Sequence, residues 1–189
     1  MSIVISKESS KFTQGLQVLT GENAMLCHQC KRCTLGCPSA YAMRMKPHEL
    51  MRALQLGLRE EIYWSGAIWT CVSCETCNTR CPQKINILRM INGLRELSFA
   101  GKGDYYNPLP AVPGFHRLFL SMVARYGRMD ELRLGFLTNL NMLTPFKDID
   151  LAATLLRKGK GRLFPRSSRG ARELRKVMAR IRELEKESV

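Results

Sequence analysis

Eight cysteines carry the most specific chemistry in this chain of 189 residues. They fall into two groups, Cys27, Cys30, Cys33 and Cys37, then Cys71, Cys74, Cys77 and Cys81, with Pro38 and Pro82 each following the fourth member. The second group copies the first at an offset of 44 residues, and the two together use every cysteine present. A cubane iron-sulfur cluster needs four thiolates converging on the corners of a small cube. Three cysteines separated by two-residue gaps wrap three of those corners from one compact stretch of chain.

In the two-cluster ferredoxin pattern the fourth ligand is the cysteine before proline in the opposite repeat. On that pattern Cys27, Cys30, Cys33 and Cys81 hold one 4Fe4S cluster, and Cys71, Cys74, Cys77 and Cys37 hold the other. Pro38 and Pro82 fix φ and prevent simple helix continuation, so the chain turns away just past each remote ligand. The exchange also brings the two clusters close together, which makes the module an electron wire. Zinc is the competing reading, but it usually takes paired Cys-x-x-Cys elements with a loop between them, not three cysteines and a fourth before proline. Disulfides are disfavoured in a reducing compartment.

His28, Lys31, Arg32 and Arg80 stand between these cysteines, where positive charge favours the more negative, reduced cluster; the plainer alternative is that they are solvated side chains of a basic protein. Trp64 and Trp69 precede the second repeat and read as core packing. His48 and His116 lack a partner constellation and read as surface or helix residues.

Helices must position these thiols. Between the repeats, Lys46 to Ile62 carries Pro47 in a first turn and Leu50, Leu54, Leu58 and Ile62 at intervals of four, which predicts one amphipathic helix. After the second repeat, Ile87, Leu88, Ile91, Leu94 and Leu97 predict another, stopped by Gly101 and Gly103. Short helical turns are expected to carry the Cys-x-x-Cys-x-x-Cys runs themselves. Lys102 to Gly114 is rich in glycine and proline and reads as a loop. It separates a cluster-binding domain, residues 1–101, from a helical extension, residues 102–189.

In that extension Phe115 to Tyr126, Asp130 to Leu143 and Asp148 to Arg157 show helical spacing, the last two opening on a capping-type aspartate. Gly159 to Ser168 is basic and irregular. Ala171 to Glu187 is a final helix whose Leu174, Val177, Ile181 and Leu184 form a narrow stripe suited to one partner helix. Only Ser2 to Ile5 looks strand-like, and it has no mate, so the predicted fold class is all-α.

The motifs C27-H-Q-C-K-R-C-T-L-G-C-P38 and C71-V-S-C-E-T-C-N-T-R-C-P82 resemble the two cluster motifs of the C subunit of heterodisulfide reductase. The similarity is specific over residues 12–100 and softer beyond. It implies an α-helical ferredoxin domain, a fold shared with iron-sulfur subunits of succinate dehydrogenase type. It also implies electron delivery between a flavin subunit and a second, cysteine-rich subunit that handles the disulfide. Sulfur-oxidising complexes of heterodisulfide-reductase-like type would run the traffic in reverse. An iron-sulfur subunit of another dehydrogenase complex, of succinate, glycerol-3-phosphate or glycolate type, is the alternative. Lys31 stands where many members have glycine, and His28 where they often have an aromatic. Neither is a ligand.

The rest of the sequence narrows the function. No Gly-x-Gly-x-x-Gly, phosphate-binding loop or Gly-x-Ser-x-Gly elbow occurs, so flavin, nicotinamide or ATP chemistry falls to partners. No ninth cysteine remains for nucleophilic work, and no catalytic residue is expected. Hydrophobic residues make up 45% and charged residues 24%, as in ordinary soluble domains. Met1 to Ser10 lacks the apolar core of a secretory signal, and Phe115 to Ala124, interrupted by His116 and Arg117, is too short to span a bilayer. A cytoplasmic protein without a transmembrane segment is expected.

The formal charge is +14, which two clusters of about −2 each would bring to about +10. Such a surface attracts an acidic partner. From Arg157 to Arg182 there are eleven Lys or Arg and one acid, Glu173. Nucleic-acid binding is not expected there, because Phe164 is the one aromatic available for base stacking. The apolar seam of the last helix favours protein docking, with the charges steering assembly.

Overall fold

A computed structural model of the protein describes residues 7–99, 111–144, 147, 149–159 and 167–187. Among the described residues every regular element is helical and none is a strand. The expected strand-like stretch Ser2–Ile5, the stop at Gly101 and Gly103, and Asp148 lie outside the described residues. The chain divides into two compact units, Met1–Leu109 and Pro110–Val189.

The first unit is built on four longer helices, α1 (Lys7–Thr20), α3 (Pro47–Leu56), α4 (Arg59–Ser65) and α7 (Ile87–Phe99), with three single-turn helices, α2 (Arg32–Leu35), α5 (Ala67–Thr70) and α6 (Thr76–Thr79). Leu16, Leu50, Met51, Leu54, Ile62, Ile68, Met90 and Leu94 are its largest fully buried side chains. Each such aliphatic chain contributes about 1.5–3 kcal/mol on leaving water. The apolar spacing of α3 and α7 is thus spent on one core, with α1 packed against both. Apolar spacing does not announce helix α1, because of its apolar residues only Leu16 is wholly buried, while Val18 is 86% exposed. One buried position leaves no stripe to read.

The helix predicted over Lys46–Ile62 is two helices. Gly57, at φ 66°, takes the left-handed conformation, its N–H donates to the Leu54 carbonyl at 3.1 Å, and the Leu58 N–H donates back to the Ala53 carbonyl at 2.9 Å. That reversal is a Schellman-type stop, and glycine adopts it without the steric cost of a Cβ. A Cβ there would also run into the Ser9 backbone of α1. At the other end Pro47 occupies the first helical position and the Glu49 carboxylate accepts from the Lys46 N–H at 2.8 Å.

Trp69 is buried at 7% exposure and meets the Phe99 ring edge-on at 5.2 Å. Trp64 corrects the expectation of core packing, since it is 52% exposed beneath the Arg44 guanidinium, 4.6 Å from its ring centroid. A cation over an indole face retains part of the ring's shelter from water without placing it in the core. The Tyr63 hydroxyl donates to the Leu94 carbonyl at 3.2 Å, and burial pushes its pKa up to about 12.

The second unit contains α8 (Ala111–Tyr126), α9 (Glu131–Asn141), α10 (Ile149–Arg157) and α11 (Ala171–Glu187). Helix α8 begins four residues before the expected Phe115, taking Pro113 and Gly114 into its first turn. Proline is tolerated there because the N–H it lacks has no acceptor in a first turn. Asp130 caps α9 as expected, accepting from the Arg133 N–H at 3.0 Å. Pro113, Met122, Leu134 and Ala171 are buried, but Phe115, Leu120, Phe136, Leu140, Val177, Ile181 and Leu184 are exposed. This unit leaves much of its apolar surface uncovered.

Candidate metal centres

The two cysteine repeats fold as copies of one device. In the first, Gln29 and Lys31 flank Cys30 in left-handed conformation, with φ of 57° and 63°. In the second, Ser73 and Glu75 flank Cys74 with φ of 55° and 60°, each 44 residues on from its counterpart. Four non-glycine residues in this region are a local cost of order 1 kcal/mol each, which functional loops tolerate when the surroundings over-determine them. Lys31 and Glu75 then start the single-turn helices α2 and α6. Helical structure therefore reaches only the third cysteine of each run. Cys27 and Cys71 are extended, and the left-handed residues on either side of Cys30 and Cys74 bend the chain around each cavity.

Each device is then locked onto the helix that follows it. The Thr34 hydroxyl accepts from the His48 N–H at 3.1 Å and pairs with His48 Nδ1 at 2.8 Å. At the equivalent place the Asn78 side-chain oxygen accepts from the Leu88 N–H at 3.1 Å. Both bonds satisfy first-turn donors that no helix can satisfy internally. The carbonyls behind the first cysteines are gathered in the same way. Gln55 Nε2 donates to Ala24 and Cys27 carbonyls at 3.1 and 2.9 Å. Arg95 donates to the Ile68 carbonyl at 2.7 Å, the Cys71 carbonyl at 2.6 Å and the Ser73 hydroxyl at 3.0 Å. Burial pulls the Arg95 pKa down, and Cys71 opposes that shift.

The single-turn helices α2 and α6 pack against one another. There the Arg80 side chain lies over Gly36, where any Cβ would meet it at 2.7 Å. The result is two cavities. Cys27, Cys30 and Cys33 line the first together with Cys81. Cys71, Cys74 and Cys77 line the second together with Cys37. Each cavity thus takes three thiols from one repeat and the proline-flanked thiol from the other. All eight cysteines are free. Among the described residues no three His, Cys, Asp or Glu side chains crowd one point as a single metal ion would require. The thiols stand around a space instead.

The thiols differ in setting. Cys33 is buried, and desolvation pushes its pKa up, with Thr34 hydrogen bonds partly opposing. Burial, aided by neighbouring Cys71, pushes Cys77 up to about 11. Cys74 is exposed and is pulled down by its Thr76 side-chain contact. Buried thiols of this kind become thiolates when a cation meets them, so loading the cavities with iron releases protons. The donor set fits two 4Fe-4S clusters, which supply one-electron chemistry when bound.

Of the other residues singled out in the sequence, His28 and Lys31 line the first cavity, and Arg32 opens α2. His48 corrects the expectation of a residue without a constellation: it lines the first cavity and is tied to Thr34. Gln55 and Arg95 escape a reading of the sequence. Each follows a fully or nearly buried residue of its own helix by four, Met51 and Ile91, so a long polar side chain on a buried stripe is the available signal.

Residues 26–86 match the family model of the 4Fe-4S dicluster domain. Over 111 residues, 57% of this chain and 54% of the relative, the sequence is 40% identical to the iron-sulfur C subunit of the CoB--CoM heterodisulfide reductase of Methanopyrus kandleri. It is 31% identical over 104 residues, 55% of each chain, to the C subunit of the H(2):CoB-CoM heterodisulfide,ferredoxin reductase of Methanothermobacter thermautotrophicus. A third relative, the C 2 iron-sulfur subunit of the CoB--CoM heterodisulfide reductase of Methanocaldococcus jannaschii, is 32% identical over 120 residues, 64% of this chain and 59% of its own. The chain spans a little over half the length of the curated relatives it matches. Residues 26–86 therefore match a 4Fe-4S dicluster domain, and across the shared portion the chain is similar to the iron-sulfur C subunits of heterodisulfide reductases.

Proposed function

We propose that this chain is the electron-relay subunit of a heterodisulfide reductase or heterodisulfide-reductase-like complex of the cytoplasm. It passes electrons through two 4Fe-4S clusters between a flavin-containing subunit and a cysteine-rich subunit that performs the disulfide chemistry. It holds no catalytic residue itself. The observation that carries this reading is the sharing of thiols: each cavity takes three cysteines from one repeat and one from the other. Cys27, Cys30, Cys33 and Cys81 ligate one cluster in this reading, and Cys71, Cys74, Cys77 and Cys37 the second.

Among the described residues no helix is long and apolar enough to cross a membrane. Two features support a place within a complex. Leu35 and Val72, 81% and 63% exposed, stand two residues from Cys33 and Cys37 and one from Cys71, where a partner's redox centre has to approach. In the second unit α11 leaves Val177, Ile181 and Leu184 exposed among arginines and lysines, a seam for an acidic partner helix. Nucleic acid is not the partner in this reading. Anaerobic purification of tagged full-length chain from its native cells tests it, with a cysteine-rich subunit and a flavoprotein expected to co-purify. Recovery of the chain alone, or tight and sequence-selective duplex DNA binding, overturns it.

A further inference from the structure

The two cluster loops are copies in backbone but opposites in charge. Lys31 and Glu75 occupy equivalent positions, 44 residues apart, both left-handed, each next to the middle cysteine of its own loop and each lining its own cavity. The first cavity is lined by His28, Lys31 and His48 and by no carboxylate. The second has Glu75 as its one charged wall residue. Both cavities have apolar walls, from Ile85 and Ile87 at the first and from Met43, Val72, Leu88 and Ile91 at the second, so the charged residues are what distinguishes them.

Reduction adds one negative charge to a group already anionic. A nearby ammonium stabilises that added charge, whereas a carboxylate and an apolar wall both oppose it. Hydrogen bonds to sulfur act in the first direction at both sites. Gln29 Nε2 donates to Cys27 Sγ at 3.4 Å, while the Ser39 and Thr76 hydroxyls stand 3.5 Å from Cys37 Sγ and Cys74 Sγ. The two hydroxyls at the second site therefore work against the charge difference. The Arg95 guanidinium behind Cys71 is a positive charge that works in the same direction as these hydroxyls. It is shared among the Ile68 and Cys71 carbonyls and the Ser73 hydroxyl, whereas Lys31 and Glu75 line the cavities themselves, and the order of potentials is assigned to the opposition of these two charges.

We propose that Lys31 and Glu75 give the relay a fixed polarity. The cluster held by Cys27, Cys30 and Cys33 has the higher reduction potential, and one electron moves to it from the cluster held by Cys71, Cys74 and Cys77. In that step one cluster is oxidised by one electron and the other is reduced by one, with no proton transferred. The proposal rests on the two-cluster relay reading, but it uses only the three cysteines of each loop, so it stands apart from the crossed fourth ligand.

The test is an EPR-monitored redox titration of the full-length, cluster-loaded chain. Cys30→Ser and Cys74→Ser, each altering one signal, assign the two signals to their loops. In the unaltered protein the signal assigned to the Cys30 loop is expected to be reduced first. Lys31→Glu should lower that potential and Glu75→Lys should raise the other, each changing the partition of an electron between the sites by about tenfold, which is about 59 mV for a one-electron couple. The double exchange should reverse the order of reduction. Both side chains are exposed and both are already non-glycine in left-handed backbone, so the exchange leaves fold and strain alike.

A second measurement needs no variant. Raising salt to about 1 M, where the screening length is about 3 Å, should narrow the gap between the two potentials. Earlier reduction of the Cys74-loop signal in the unaltered protein, or a gap that changes by less than twofold in partition in the double exchange, overturns the proposal. Selective damage by Cys37→Ser to the Cys30-loop signal would instead defeat the crossed ligation while leaving the order of potentials to be read directly.

Discussion

Cys37 and Cys81 are the two thiols whose roles cannot be read from their own neighbourhoods, because each lines the cavity of the opposite repeat. Cys37→Ser is expected to damage the cluster associated with Cys71, Cys74 and Cys77 and to spare the other, with iron content and EPR of the anaerobic protein as the measurement. Arg95 is the supporting residue with the most to lose. Its guanidinium gathers the Ile68 and Cys71 carbonyls and the Ser73 hydroxyl, and hydrogen bonds to a charged group contribute about 1.5–3 kcal/mol each. Bonds made by one side chain do not add fully, and Arg95→Ala should cost about 3–5 kcal/mol in denaturant unfolding and shorten the life of the second cluster in air. Arg95→Lys should recover only part of this, since an ammonium cannot reproduce a planar fork reaching several acceptors.

Between the first cysteine repeat and α7 the helices of the first unit are short, α3 to α6 having four to ten residues each. The break between α3 and α4 at Gly57 illustrates how this is encoded, since a single left-handed glycine ends a run of apolar residues that would otherwise continue. Gly57→Ala places a Cβ both in left-handed backbone and against the Ser9 backbone. The conformational part alone costs about 1–2 kcal/mol, and the clash adds to it. Thermal unfolding of the loaded protein should show a clearly lowered midpoint, with α1 the first helix to lose amide-exchange protection. The same substitution at Gly135, which meets nothing within 4 Å, should be nearly neutral or slightly stabilising.

For the molecule as a whole, the apolar core and the clusters stabilise different parts of the first unit. Leu50, Met51, Leu54, Ile62, Met90 and Leu94 are buried independently of any thiol, whereas the loops bearing the cysteines hold four strained residues and have little apolar burial of their own. Removal of iron by a chelator under anaerobic conditions should therefore leave most helical circular dichroism in place. Proteolysis within 27–37 and 71–81 should rise sharply. Global loss of helix in step with iron release would show that the clusters hold the core as well.

Cysteine count, spacing and the trailing prolines determined the cofactor, and apolar periodicity determined an all-helical fold, because ligand valence and helical pitch are local properties of neighbouring residues. Helix α11 was legible to both ends for that reason. What only the tertiary structure decided is which distant groups share a space. His48 at the first cavity, Arg95 behind Cys71, Arg80 over Gly36 and Trp64 out of the core all depend on contacts between segments far apart in the chain. The opposed charges of Lys31 and Glu75 are visible in the sequence as letters, but their bearing on electron flow depends on both lying in the walls of two equivalent cavities, and a field acts through space rather than along the chain.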